Sequence, residues 1–130
     1  MLKTIAVSKQ ENYRTEIRAN AHHFIVDEPI SVGGKDLGPT PGELVAAALA
    51  SCSSITMKMY ADRKGWELEE VEVEVDYETD AQKKLTRFTK NIRFQGNLDA
   101  TQREKLYEIA AKCPIHRLLM GQVEVNSKLL

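Results

Sequence analysis

The sequence predicts an α+β fold in which strands and helices are segregated along the chain. Three observations carry this prediction. Short alternating segments fill the first 28 residues, and a long apolar run with helix-end signals occupies 41–64. Two strictly alternating, charged segments then precede a pair of short helical patterns.

Taken in order, KTIAVSK (Lys3–Lys9) and YRTEIRAN (Tyr13–Asn20) alternate and carry β-branched residues, so each predicts a strand, with Gln10-Glu11-Asn12 as the turn. HHFIVDE (His22–Glu28) predicts a third strand and completes an antiparallel meander. Pro29–Thr40 is a Gly/Pro-rich loop, longer than most connections. The helix predicted at 41–64 has marked ends. Thr40 is the N-cap, Pro41 takes the first helical position, and Glu43 completes a capping box. Arg63 and Lys64 suit the negative end of the helix dipole, and Gly65 suits a left-handed C′ position. Leu44–Ile55 is apolar or small on nearly every face, which predicts a helix buried all round.

VEVEVDYE (Val71–Glu78) alternates with Val71, Val73, Val75 and Tyr77 inward. LTRFTKNIRF (Leu85–Phe94) alternates with Phe88, Ile92 and Phe94 inward. The acidic outer face of the first is expected to pair with Arg87 and Arg93 of the second, as a solvated sheet face. Asp99 and Gln102 open a second helix, whose periodicity through Leu106, Ile109, Ala110 and Cys113 faces the core. Pro114 ends or redirects it. PIHRLLM (Pro114–Met120) reads as a further short helix stopped by Gly121, and QVEVNSKLL (Gln122–Leu130) as a closing strand.

At 130 residues the chain is expected to form a single domain, 1–130. A formal net charge of −1 offers no attraction for nucleic acid or an anionic membrane. The apolar run Leu44–Met59 is broken by polar residues and reads as short of a bilayer span. The first residues turn polar by Ser8, too soon for a signal peptide. The expectation is a soluble cytoplasmic protein.

Chemistry rests on two cysteines. In a reducing compartment such a pair is redox-active, metal-binding or simply buried. Cys113 has the better local case for a thiolate. As N-cap of a helix starting at Pro114 it would meet free amides and a favourable dipole, with His116 and Arg117 one turn away. Cys52 lies about 15 Å along its helix at roughly 1.5 Å per residue, far from the dipole end, and burial would raise its pKa. Serines at 51, 53 and 54 are hydroxyl donors, although serines inside helices usually bond back to their own backbone. Local chemistry alone leaves inert core cysteines and a redox pair both open. Glu43 points away from Cys52 on the helix, which favours its capping role. His22, His23 and His116 lack the close spacing of a zinc site.

GPTPGELVAAALASC (Gly38–Cys52), followed some sixty residues later by KCPIHRLL (Lys112–Leu119), resembles the osmotically inducible protein C / organic hydroperoxide resistance (OsmC/Ohr) family over essentially the whole chain. The resemblance implies an OsmC-like fold, with antiparallel sheets around a long buried central helix in an intertwined homodimer. It implies reduction of organic hydroperoxides by cysteine, with no cofactor, and a disulfide that an external dithiol then reduces. Carried over, Cys52 matches the peroxidatic cysteine and Cys113 the resolving one. Arg14 matches an arginine of the N-terminal strands, with Arg18 as the fallback. Such a cation is what a buried Cys52 thiolate needs. The chain departs from the family at the helix start. Where active members read Pro-Glu-x-Leu, it reads Pro41-Gly42-Glu43-Leu44, which places it in an OsmC-like branch. The alternative expectation is a non-catalytic OsmC-like module that binds a small apolar or thiol-reactive ligand at the dimer interface.

Overall fold

The structure, a computed structural model, describes residues 2–130. It comprises two compact units, one reaching to Val45 and one from Ala46 to Leu130.

In the first unit, β1 (Thr4–Ser8), β2 (Thr15–Ala19) and β3 (His22–Val26) form the expected antiparallel meander, in the order β1-β2-β3. Ala6 lies opposite Ile17, and Ile17 opposite Phe24, so the apolar positions fall in register. The loop that follows is organised by one buried carboxylate. Asp27 accepts hydrogen bonds from the backbone N–H groups of Tyr13 (3.1 Å), Glu28 (2.8 Å), Lys35 (3.2 Å) and Leu37 (3.2 Å). Burial pushes the Asp27 pKa up, but these four donors together outweigh it and hold the carboxyl below its usual value. A depressed folded pKa stabilises the fold fully above the unfolded value of about 3.9, and this stabilisation is lost as pH falls through the folded value. Asp27→Asn turns one acceptor into a donor aimed at an N–H. It is expected to lower the melting temperature at pH 7 by roughly 5 °C or more. Melts repeated in acid should show the gap to the parent protein narrowing.

Helix α1 (Pro41–Lys64) has the predicted bounds. Glu43 N–H donates to Thr40 Oγ1 at 3.1 Å, and Thr40 N–H donates to Glu43 Oε1 at 3.4 Å, which makes the capping box. At the other end Gly65 takes φ +70°. Trp66 N–H donates to the Ala61 carbonyl and Gly65 N–H to that of Asp62, the paired bonds of a Schellman stop.

In the second unit one stripe of α1, Leu49, Ser53, Met57 and Ala61 at four-residue spacing, is buried. Met57 and Ala61 join Leu68, Leu106, Ile109 and Ala110 in the core, flanked by Val71, Val73, Ile92 and Phe94 of the sheet. The expectation of a helix buried all round is corrected: Ile55 is 53% and Met59 60% exposed in the single chain. Apolar composition on every face does not decide which face the chain's own elements reach. The helix also proves 24 residues long, enough by length and composition to cross a membrane, where the run Leu44–Met59 alone reads as short. One such helix is weak evidence of a span, since the core helix of a soluble protein has the same length and composition.

β4 (Glu67–Asp80) and β5 (Leu85–Asn97) form an antiparallel two-stranded sheet, longer than the alternating cores that predicted them. A register shift between Leu68 and Glu70 lies opposite Gly96, which takes φ +141°; a Cβ there would run into the Glu67 carbonyl. The outer face pairs as expected, Arg87 with Glu78 and Arg93 with Glu72, each at 2.7 Å. These pairs are exposed and each contributes only about 0–1 kcal/mol. Tyr77, expected inward, is partly exposed and stacks on Phe88 at 5.4 Å.

α2 (Ala100–Ala110) opens on the predicted box, with Asp99 accepting from Gln102 N–H and Gln102 accepting from Asp99 N–H. Asp99→Ala is expected to cost about 1 kcal/mol in urea titration. α3 (Pro114–Met120) follows, with Cys113 as N-cap and Gly121 as C-cap. The closing strand expected at Gln122–Leu130 is absent: these residues have no regular structure, and Val123 and Val125 are 64% and 84% exposed. Alternation supplies a strand's side-chain pattern, but a strand also needs an edge to bond to, and none in the single chain takes it.

Candidate active site

α1, β5, the end of α2 and the start of α3 converge on the two thiols. Both cysteines are free; Cys113 is fully buried and Cys52 partly so. Cys113 reaches the core because α2 stops at Ala110 and Pro114 restarts the chain as α3, leaving Cys113 extended between them. Its sulfur accepts the His116 N–H at 3.3 Å, as an N-cap does. The hydroxyl of Ser53, next to Cys52 in sequence, lies 3.4 Å from the Cys113 sulfur.

The serines of α1 divide by face. Ser51 bonds back to the Ala47 carbonyl at 2.7 Å, the usual behaviour within a helix. Ser53 lies on the buried stripe and turns instead to the second thiol.

The cation beside the thiols is Lys90, which residue-level reading of the sequence missed. It comes from β5, where it sits on the inward face between Phe88 and Ile92. Its ammonium donates to Ser53 Oγ at 2.9 Å and to the Ala110 carbonyl, at the C-terminus of α2, at 2.8 Å. Among the described residues no carboxylate lies within ion-pair distance of it. The signal was legible in LTRFTKNIRF: a lysine interrupts an inward apolar face at period two.

The electrostatics follow from this arrangement. Burial raises the Cys113 pKa, but the Ser53 hydroxyl, the His116 N–H, the Cys52 thiol and the Lys90 charge together bring it below the ordinary thiol value. Burial lowers the Lys90 pKa, against the pull of Cys113 and Cys52. Burial, then the Lys90 charge, lowers the His116 pKa and keeps its imidazole neutral at neutral pH. An apolar cleft of about 270 Å³ opens beside this cluster, lined by Leu49, Phe88, Lys90, His116, Leu119 and Met120.

Cys52 and Cys113 are thus brought together in the second unit. Arg14 belongs to the first, where its guanidinium pairs with Glu16 at 2.9 Å. Gly42, where the resemblance leads to the expectation of a glutamate, lies in the first turn of α1, and the neighbouring Glu43 carboxylate is engaged in the cap. Among the described residues no three His, Cys, Asp or Glu side chains are grouped to hold a metal ion.

Solved structures share this fold. An OsmC-like protein from Mycoplasma pneumoniae superposes with a TM-score of 0.79 at 18% identity, covering 93% of this chain and 88% of that one. A Psychrobacter arcticus protein, provisionally assigned to osmotic stress and detoxification, gives 0.77 at 23% identity over 91% and 88%. The organic hydroperoxide resistance protein OhrB of Bacillus subtilis gives 0.63 at 21% identity over 95% and 93%. At these identities the likeness shows the fold. No curated protein matches the chain in sequence. A family model described as OsmC-like protein matches residues 33–128, and with the two motifs inside that span the chain belongs to the OsmC-like protein family.

Proposed function

We propose that this chain reduces organic hydroperoxides with its two cysteines, as a cytoplasmic homodimer serving oxidative stress defence. The observation that carries the reading is the meeting of Cys52 and Cys113 in one cluster with Ser53 and Lys90. The hydroperoxide-resistance relatives of the same fold support it. Cys52, the more exposed thiol, attacks the terminal peroxide oxygen as a thiolate. The O–O bond breaks, Cys52 becomes a sulfenic acid, and the leaving alkoxide takes a proton from solvent to give the alcohol. Cys113 then attacks the sulfenic sulfur, and hydroxide leaves as water with the Cys113 proton. The resulting Cys52–Cys113 disulfide is returned to two thiols by an external dithiol. The cleft with Leu49, Phe88, Leu119 and Met120 suits the apolar body of the substrate. Arg14, or Arg18 in its place, is the arginine proposed by resemblance to meet the peroxide. The exposed Ile55 and Met59 of α1 favour a second copy against that face.

One equivalent of an organic hydroperoxide added to reduced protein should consume two thiols and remove two hydrogens from the intact mass. Unchanged thiols and mass would sink the reading. The same cleft, with Gly42 at the glutamate position, supports a second reading, a non-catalytic module for a small apolar ligand. It predicts a ligand-dependent rise in melting temperature with both thiols untouched by peroxide.

A further inference from the structure

Lys90 has a structural role of its own. Its ammonium closes the C-terminus of α2 through the Ala110 carbonyl, where the helix dipole favours a cation. A cap alone does not explain its placement. Solvent-exposed residues cap helix ends readily, whereas Lys90 occupies an inward sheet position among Phe88, Ile92 and Phe94, where an uncompensated charge is costly. No carboxylate within ion-pair distance balances it among the described residues. The groups facing it are Ser53 and Cys52 from α1, the Ala110 carbonyl from α2, and Cys113 and His116 at the start of α3. On its own strand Arg87 also lines the cleft but is paired with Glu78. Of these only the two thiols can become anions.

We propose that Lys90 is a positioning residue for the thiol pair: its ammonium, acting through the Ser53 hydroxyl, is the counter-ion of a single negative charge shared by Cys52 and Cys113. This rests on the redox reading of the two cysteines and adds a cation from within the same unit. Ser53 accepts from Lys90 and so directs its own proton away from it, towards the Cys113 sulfur or the Ala110 carbonyl. The donors, Ser53 Oγ and the His116 N–H, both face the Cys113 sulfur, so the charge rests there between turnovers. Transfer of one proton from the Cys52 thiol to the Cys113 thiolate then makes Cys52 the nucleophile, and that proton later leaves in water. Once the disulfide forms the charge is gone, and Lys90 is left with only the serine and the carbonyl.

The test is a pH titration of thiolate ultraviolet absorbance in the reduced full-length protein, which reads charge on sulfur without needing access to it. Lys90→Met keeps a chain of similar length at an inward position and removes the charge; Lys90→Arg keeps the charge. Lys90→Met is expected to raise the first thiolate midpoint by about one pH unit, a roughly tenfold loss of thiolate below that midpoint. Ser53→Ala should shift it in the same direction, and Lys90→Arg should stay near the parent. A Lys90→Met midpoint equal to that of the parent, in a protein that still melts cooperatively, overturns the proposal and leaves peroxide-driven disulfide formation untouched as a separate result. A raised midpoint in a protein whose thiols ignore hydroperoxide upholds the Lys90 assignment while the peroxidase reading fails.

Discussion

Cys52→Ser is expected to abolish hydroperoxide reduction, bringing turnover in the presence of an external dithiol down to the uncatalysed background. A hydroxyl has neither the acidity nor the nucleophilicity of a thiol, so no sulfenic acid forms. Cys113→Ser separates the two steps. Serine is a preferred N-cap, so α3 should keep its start and the protein its fold. One equivalent of hydroperoxide should then leave Cys52 one oxygen heavier in the intact mass, trapped as sulfenic acid, with no disulfide. Loss of two hydrogens from that single-thiol chain, as a disulfide between two copies, would show that Cys52 reacts but resolves elsewhere. Full turnover in Cys52→Ser would remove Cys52 from the reaction altogether.

The largest stability effect is expected at Leu106, fully buried where α2 meets α1 and the β4–β5 sheet. Leu106→Ala should lower unfolding free energy by about 2–5 kcal/mol, through lost apolar burial and the cavity left behind. Against a typical total of roughly 5–15 kcal/mol this is a large fraction. A urea titration with a lower midpoint and unchanged slope is the expected result. A change below about 1 kcal/mol would mean that the surrounding core closes over the gap.

These variants bracket what could be read from the residues alone. The ends of α1 were legible because caps are local: Thr40 with Glu43, and Gly65 with its left-handed φ, act within a few residues of chain. The box at Asp99 and the break at Pro114 were legible for the same reason, and they put Cys113 at the start of a helix. The two outer ion pairs of the sheet followed from alternation, since pairing across two antiparallel strands sets their register.

What the residues alone left open was how elements distant in the chain cover one another. The closing strand has the right pattern, yet among the described residues it pairs with no sheet edge. The apolar faces of α1 could not declare which of them the rest of the unit would cover, and only the stripe of Leu49, Ser53, Met57 and Ala61 is buried. Lys90 is one of several polar residues in a charged strand, and only the packing of β5 on α1 sets its ammonium apart from the others.

By itself, then, the sequence determined the helix bounds, the two antiparallel sheets and the presence of two thiols in family-like surroundings. Capping, turn chemistry and period-two alternation act between near neighbours in the chain. Only the tertiary structure decided which charged group stands by the thiols. Ser53, beside Cys52, lies 37 residues before Lys90 and 60 before Cys113 along the chain, and what joins them is the packing of β5 and the end of α2 against one stripe of α1. The thiol pair therefore has a cation from its own sheet, in Lys90, that no local pattern around either cysteine announces.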